Sequence, residues 1–216
     1  MRQRKVKNLE EKFLNHLTYF VNVSFEFKGK WKDTFRNENE LYLEIGVGKG
    51  DFLIQQAERH HDRNYVGIEG RRSILLRALQ KLENSGLSNV RFAGGFIWHP
   101  TEMFAESEVA GIYLNFSDPW PKAAHSKRRL THRNYLMAYH EILKPGGFVE
   151  LKTDSGGLFD FTVMEVDEAA SELFRIEEIT TDLHSSEYTA KDVKSEYEMK
   201  FIEMGKKICY MRLVRL

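Results

Sequence analysis

The chain has 216 residues, 42% hydrophobic and 30% charged, the make-up of one globular domain with a real core and too apolar for a disordered chain. Its 32 basic side chains balance 32 acidic ones, so no net field draws it to nucleic acid and any such affinity has to come from local clustering. A single cysteine, Cys209, excludes a disulfide framework and a cysteine-rich zinc site; without any run of about 18 apolar residues, the sequence reads as cytoplasmic with no membrane segment.

In chain order, residues 1–36 read as a basic N-terminal arm, with Arg2, Arg4, Lys5 and Lys7, followed by a helical extension; residues 37–216 read as the domain proper. Short apolar runs at 41–46, 64–70, 89–95, 110–116 and 147–154 predict buried strands. Between them, apolar spacings of three and four over 51–60, 71–84 and 132–143 predict amphipathic helices. Ser85-Gly86 ends the second of these, and Lys144-Pro145-Gly146-Gly147 stops the third. A further helix at about 158–173 precedes two closing strands, FRIEEITTDL and ICYMRLVRL. The alternation predicts an α/β doubly wound, mostly parallel, seven-stranded sheet with one antiparallel edge strand.

Ligands of such folds sit outside the carboxyl ends of the strands. The first strand runs into Glu44-Ile45-Gly46-Val47-Gly48-Lys49-Gly50, a turn whose glycines let backbone approach a ligand closely. The second ends in Glu69, nineteen residues past Gly50, where a carboxylate can accept hydrogen bonds from both hydroxyls of a ribose. A dinucleotide site spaces its glycines G-x-G-x-x-G to rest a pyrophosphate on the helix N-terminus. Here the third glycine comes one residue early, and Glu44 would repel a phosphate and attract a cation. Both features point to S-adenosylmethionine, which carries a sulfonium and an ammonium, and to methyl transfer that leaves S-adenosylhomocysteine.

Beyond the fourth strand comes NFSDPWPKAAHSKRRL, residues 115–130. Pro119 and Pro121 restrict the backbone around Trp120 and hold Asp118 at the crevice. Lys122, Lys127, Arg128, Arg129 and Arg133 follow, with His125 and His132 among them, as a local basic patch suited to phosphate.

Residues 115–122 with Lys127-Arg128-Arg129, the E-x-G-x-G-x-G loop, I-E-G at 68–70, L-K-T-D at 151–154 and S-E-Y-E at 195–198 together resemble the bacterial tRNA (guanine-N7-)-methyltransferases of TrmB type. The resemblance runs from the basic N-terminus to the end. It implies a class I, Rossmann-like S-adenosylmethionine methyltransferase acting on a guanosine of the tRNA variable loop, position 46. Carried over by motif, it implies Glu44, Glu69 and Asp118 at the cofactor, with Asp118 also the catalytic candidate. Lys122, Asp154, Ser195, Tyr197 and Glu198 would meet the substrate.

The chain departs from that pattern in places. Where the family carries an acidic or amide side chain beside the adenine, this sequence has Gly94-Gly95-Phe96, and Phe96 can offer only its ring or its backbone. Ser117 replaces a proline, Ala123, Ala124 and Ser126 stand where basic residues are usual, and Ser195 replaces threonine while keeping the hydroxyl.

Guanine N7 is an unprotonated acceptor, so attack on a methyl carbon needs no base and positioning dominates. A carboxylate among Asp118, Asp154 and Glu198 gripping the N1 and N2 edge would offset the charge that develops on the base. Because the A-form major groove is closed to side chains, the base has to be exposed in a loop, where Trp120 or Tyr197 could stack on it. His60, His61, His99, His140 and His184 lack metal-ligand spacing, so no metal is expected. The expected partner is tRNA, with the protein a monomer or homodimer. Two other readings are a tRNA-binding protein of the same fold with weakened catalysis, and a nicotinamide-dependent oxidoreductase.

Overall fold

The protein is seen in a computed structural model that describes residues 8–216, so the basic positions Arg2, Arg4, Lys5 and Lys7 lie outside the described residues. The strands are β1 (Phe20–Asn22), β2 (Glu40–Ile45), β3 (Arg63–Glu69), β4 (Val90–Gly94), β5 (Val109–Asn115), β6 (Leu143–Thr153), β7 (Phe174–Thr180) and β8 (Cys209–Arg215). The helices are α1 (Leu9–Leu14), α2 (Trp31–Phe35), α3 (Asp51–Arg59), α4 (Arg72–Ser85), α5 (Arg133–Ile142), α6 (Gly156–Ala169) and α7 (Glu196–Glu203).

All eight strands form one sheet in the order β1-β4-β3-β2-β5-β6-β8-β7. Neighbours from β1 through β6 pair parallel, whereas β8 pairs antiparallel with both β6 and β7. Two details differ from the expected sheet. The eighth strand is β1, only three residues long and too short to show alternation in the sequence. The two closing strands do pair antiparallel at one edge as expected, but β8 inserts between β6 and β7 and leaves β7 as the border. A smaller difference is that Lys144 to Gly147, read as a helix stop, belong to β6, where the partner of β5 shifts from Leu143 to Phe148. Helix α5 ends at Ile142, one residue short of its expected limit.

Burial explains the strand patterns. Every residue of β5 is buried, as suits a central parallel strand covered on both faces. Along β2, Leu41, Leu43 and Ile45 pack in the layer with α2, α5 and α6, and Tyr42 packs in the opposite layer with α1, α3 and α4. Helix α4 buries Leu75, Leu76, Leu79 and Leu82. At ~2 kcal/mol per buried leucine, this packing outweighs intrinsic helix propensity and fixes the helix on the sheet. Gly86, with φ +69°, closes it.

The stretch ahead of β2 shares this core. Phe13 and Phe20 meet edge to face at 4.9 Å under the guanidinium of Arg72, and Trp31 is buried with its indole N–H donating to the Met103 carbonyl at 3.2 Å.

Candidate active site

Strand order reverses between β2 and β5, which places the ligand crevice at their C-terminal ends. The loop leaving β2 is pinned to β3, with the N–H groups of Gly46 and Val47 both donating to the Ile68 carbonyl at 2.8 and 3.0 Å. Gly46 and Gly48 have φ of +85° and +57°, and a Cβ on either would meet nothing within 4 Å, so their bare backbone faces open space. Gly50 serves another purpose: a Cβ there would meet Phe92 and Ala78 at 2.9 and 3.0 Å, so it lets α3 lie close to the sheet.

Glu44 is 2% exposed. One oxygen accepts from the Asn115 amide at 2.8 Å, and the other is buried with no partner. Burial pushes its pKa up to about 8, against the pull of Asn115 and Lys152. Glu69 closes β3 and braces the loop, accepting from the Gly48 N–H at 3.1 Å and the Arg71 N–H at 2.8 Å. Each of its oxygens keeps a second lone pair.

The turn after β5 is strained. Phe116 and Trp120 hold φ of +52° and +41°, rare for side-chain-bearing residues. Contacts around the turn hold it there. The Phe116 N–H donates to the Lys152 carbonyl at 2.8 Å, and its ring lies 5.5 Å from that of Phe201. From the other side the Arg129 guanidinium donates to the Pro119 and Trp120 carbonyls at 3.0 to 3.3 Å while resting 4.2 Å over the Phe161 ring. Asp118, at the crest, is exposed and makes no hydrogen bond or ion pair among the described residues.

Residues 38–211 match the family described as "Putative methyltransferase". Curated relatives named tRNA (guanine-N(7)-)-methyltransferase include one from Brevibacillus brevis, 40% identical over 96% of this chain and 95% of its own length. Another, from Lachnoclostridium phytofermentans, is 41% identical with the same coverage. The chain belongs to the tRNA (guanine-N(7)-)-methyltransferase family. The fold is shared more widely. "Structure of an antibiotic related Methyltransferase" superposes with a TM-score of 0.65 at 17% identity, covering 92% of this chain and 98% of that one. TrmN from Thermus thermophilus does so at 0.58 and 18% identity, over 82% of this chain and 44% of its own.

Within the methyltransferase, the expected residues fall into three groups. Glu44, Gly46, Gly48, Gly50, Glu69 and Asp118 gather on strand ends and loops at the C-terminal edge of the sheet. Phe96 follows β4 on that edge and is 66% exposed. Asp154, just after β6, is engaged by Lys206 at 2.7 Å.

The S-E-Y-E residues form the first turn of α7. Ser195 and Glu198 make a reciprocal capping box, and Tyr197 projects outward at 58% exposure. Glu198, expected to meet the base, is instead fully enclosed, its carboxylate 3.1 Å from the Lys152 ammonium and accepting from the Ser195 N–H. His184 Nε2 also lies 3.1 Å from Glu198, but off the line of a hydrogen bond.

The basic patch is thinner than the sequence implies. Lys122, Lys127 and Arg128 are exposed, with Arg128 4.8 Å over the Trp120 ring. Arg129 is committed to the turn, and Arg133 is bound to Glu165 at 2.7 Å and to Glu168.

Sequence reasoning missed Lys152, which is 1% exposed and lies beside Asn115 in the sheet. Its signal was a cation inside the apolar run VELKTD. Lys152 also donates to the Val193 carbonyl at 2.8 Å, while Gln55 donates to the Lys194 carbonyl and Lys49 pairs with Glu196. These bonds strap the segment between β7 and β8 across the glycine loop.

The donor set fits S-adenosylmethionine. A buried carboxylate oxygen without a partner suits a cationic ligand group, Glu69 can accept from a ribose diol, and the open faces of Gly46 and Gly48 leave room for the chain that joins them. A pyrophosphate would meet Glu44 instead, which counts against a nicotinamide dinucleotide. Among the described residues no three His, Cys, Asp or Glu side chains converge as a metal site, and no helix is long and apolar enough to cross a membrane.

Proposed function

We propose that this methyltransferase transfers a methyl group to N7 of a guanosine in tRNA, at position 46 of the variable loop, giving 7-methylguanosine. S-adenosylmethionine, when bound, supplies the methyl group from its sulfonium. The observation that carries the reading is the unpaired carboxylate of Asp118, held by a strained turn at the switch point beside Lys122, Lys127 and Arg128. The base stays unprotonated at N7, so the protein's task is to align it and to stabilise the charge it gains. Asp118 is free to accept from the N1 and N2 edge; Trp120 and Tyr197 offer faces for stacking, and the exposed cations hold the flanking phosphates. Asp154 would have to leave Lys206, or bring it along, to take part. In this reading the protein acts in the cytoplasm as a monomer or homodimer.

The test is incubation with unmodified tRNA transcript and labelled S-adenosylmethionine, followed by nucleoside analysis. Label in 7-methylguanosine that disappears when guanosine 46 is replaced is the expected result. A folded protein that shifts tRNA on a gel yet transfers no label would instead mark a binding-only role.

A further inference from the structure

Immediately past β4 the chain reads Gly95-Phe96-Ile97-Trp98. Ile97 is buried, with its carbonyl accepting from the Tyr135 hydroxyl, while Phe96 and Trp98 are 66% and 62% exposed. Alternation along an extended segment thus turns two large rings to the same side, their centroids 6.2 Å apart and their planes inclined by 31°. Exposed aromatics of this size are costly to leave wet. Their position is specific. The Phe96 ring fills the space a Cβ on Gly70 would occupy, with ring atoms 2.3 to 2.6 Å from that point, and Gly70 directly follows Glu69. The Gly95 N–H donates to the Glu69 carbonyl at 3.2 Å, which ties the two strand ends together.

A nucleoside whose ribose is held by Glu69 therefore places its base beside Phe96 and Trp98. No side chain from residue 94 to 98 carries a hydrogen-bond acceptor that could take the exocyclic amine of adenine. Resting on the cofactor assignment made above, we infer that Phe96 and Trp98 form an aromatic seat that binds the adenine by its faces and leaves its 6-amino group unread. Cofactor specificity at that position is consequently relaxed: the site distinguishes purine from no purine and tolerates substitution at the amine.

Calorimetry with purified full-length protein tests this, using S-adenosylhomocysteine and its N6,N6-dimethyladenosyl analogue, which has no amine hydrogen left to donate. The two are expected to bind within about threefold of each other. Trp98→Ala and Phe96→Ala should each weaken S-adenosylhomocysteine about tenfold, the scale of one lost base stack. Trp98→Phe should keep most of the affinity, because it preserves an aromatic face. Melting curves of each variant separate loss of the seat from loss of the fold. A loss of tenfold or more for the dimethyl analogue, or unchanged affinity in both folded alanine variants, overturns the inference. Failure of the unaltered protein to bind S-adenosylhomocysteine overturns the methyl-transfer reading itself and this inference with it.

Discussion

Asp118 and Glu44 are both carboxylates at the crevice, yet their surroundings give them opposite sensitivities. Asp118 is exposed and unpartnered, so Asp118→Ala should change stability by less than about 0.5 kcal/mol and lower turnover about 100-fold or more. Equal loss of stability and activity would assign it to the fold instead. Glu44 retains its proton in the folded chain to about pH 8, whereas an unfolded glutamate releases it near 4.5. Its burial is therefore tolerated below the lower value and becomes progressively destabilising as pH rises towards the upper one. Melting of the ligand-free protein should show Glu44→Gln gaining on the parent between pH 5 and pH 8. The ammonium group of the ligand favours the ionised form, so affinity for S-adenosylhomocysteine should rise over the same interval in the parent and flatten in Glu44→Gln. The places of Glu44, Glu69 and Asp118 at the crevice were legible because each lies at or just past the end of a recognisable strand. The enclosure of Glu198 was not, since nothing local in SEYE reveals a lysine brought from β6.

At the scale of elements, helix α7 has only eight residues and would not persist alone. Its capping box and the buried pair of Glu198 with Lys152 hold it. Ser195→Ala should cost about 1 kcal/mol. Lys152→Met should cost about 3 to 5 kcal/mol, because it strands a carboxylate in the interior. The Lys152→Met/Glu198→Gln double variant should recover much of that, as denaturant titration of the three proteins would reveal. Cost that persists undiminished in the double variant would mean that Lys152 acts mainly through the Val193 carbonyl. The same scale shows where pattern reading succeeds. Helices α3, α4 and α5 announced themselves by leucine and aromatic spacing and lie within a residue or two of their expected limits. Strand β1 and helix α2 were hidden because three and five residues display no period. Their burial comes from partners far along the chain, Phe92 for one and Met103 for the other.

For the whole molecule, zero net charge means that tRNA affinity depends on few contacts. With about five phosphates neutralised, log affinity should fall against log salt with a slope of roughly −3.5 to −4.5, and Lys122→Ala or Lys127→Ala should each flatten it by about 0.7 to 0.9. Arg129→Ala should leave that slope unchanged while lowering turnover, because its donors hold the Asp118 turn. A salt-independent affinity would remove the electrostatic account. The sheet's general plan was readable from alternating strand and helix patterns, but the place of its final strand was not, because no local signal says that β8 enters between two strands already made.

That insertion has a consequence for synthesis. As the chain leaves the ribosome, β7 emerges with no neighbour in the sheet and stays so until residues 209–215, which bridge it to β6, have followed. Chains halted before Cys209 should therefore display an apolar edge at β6 that associates with other strands, and nascent-chain protease digestion should find the domain resistant only once residues 209–215 are clear of the exit tunnel.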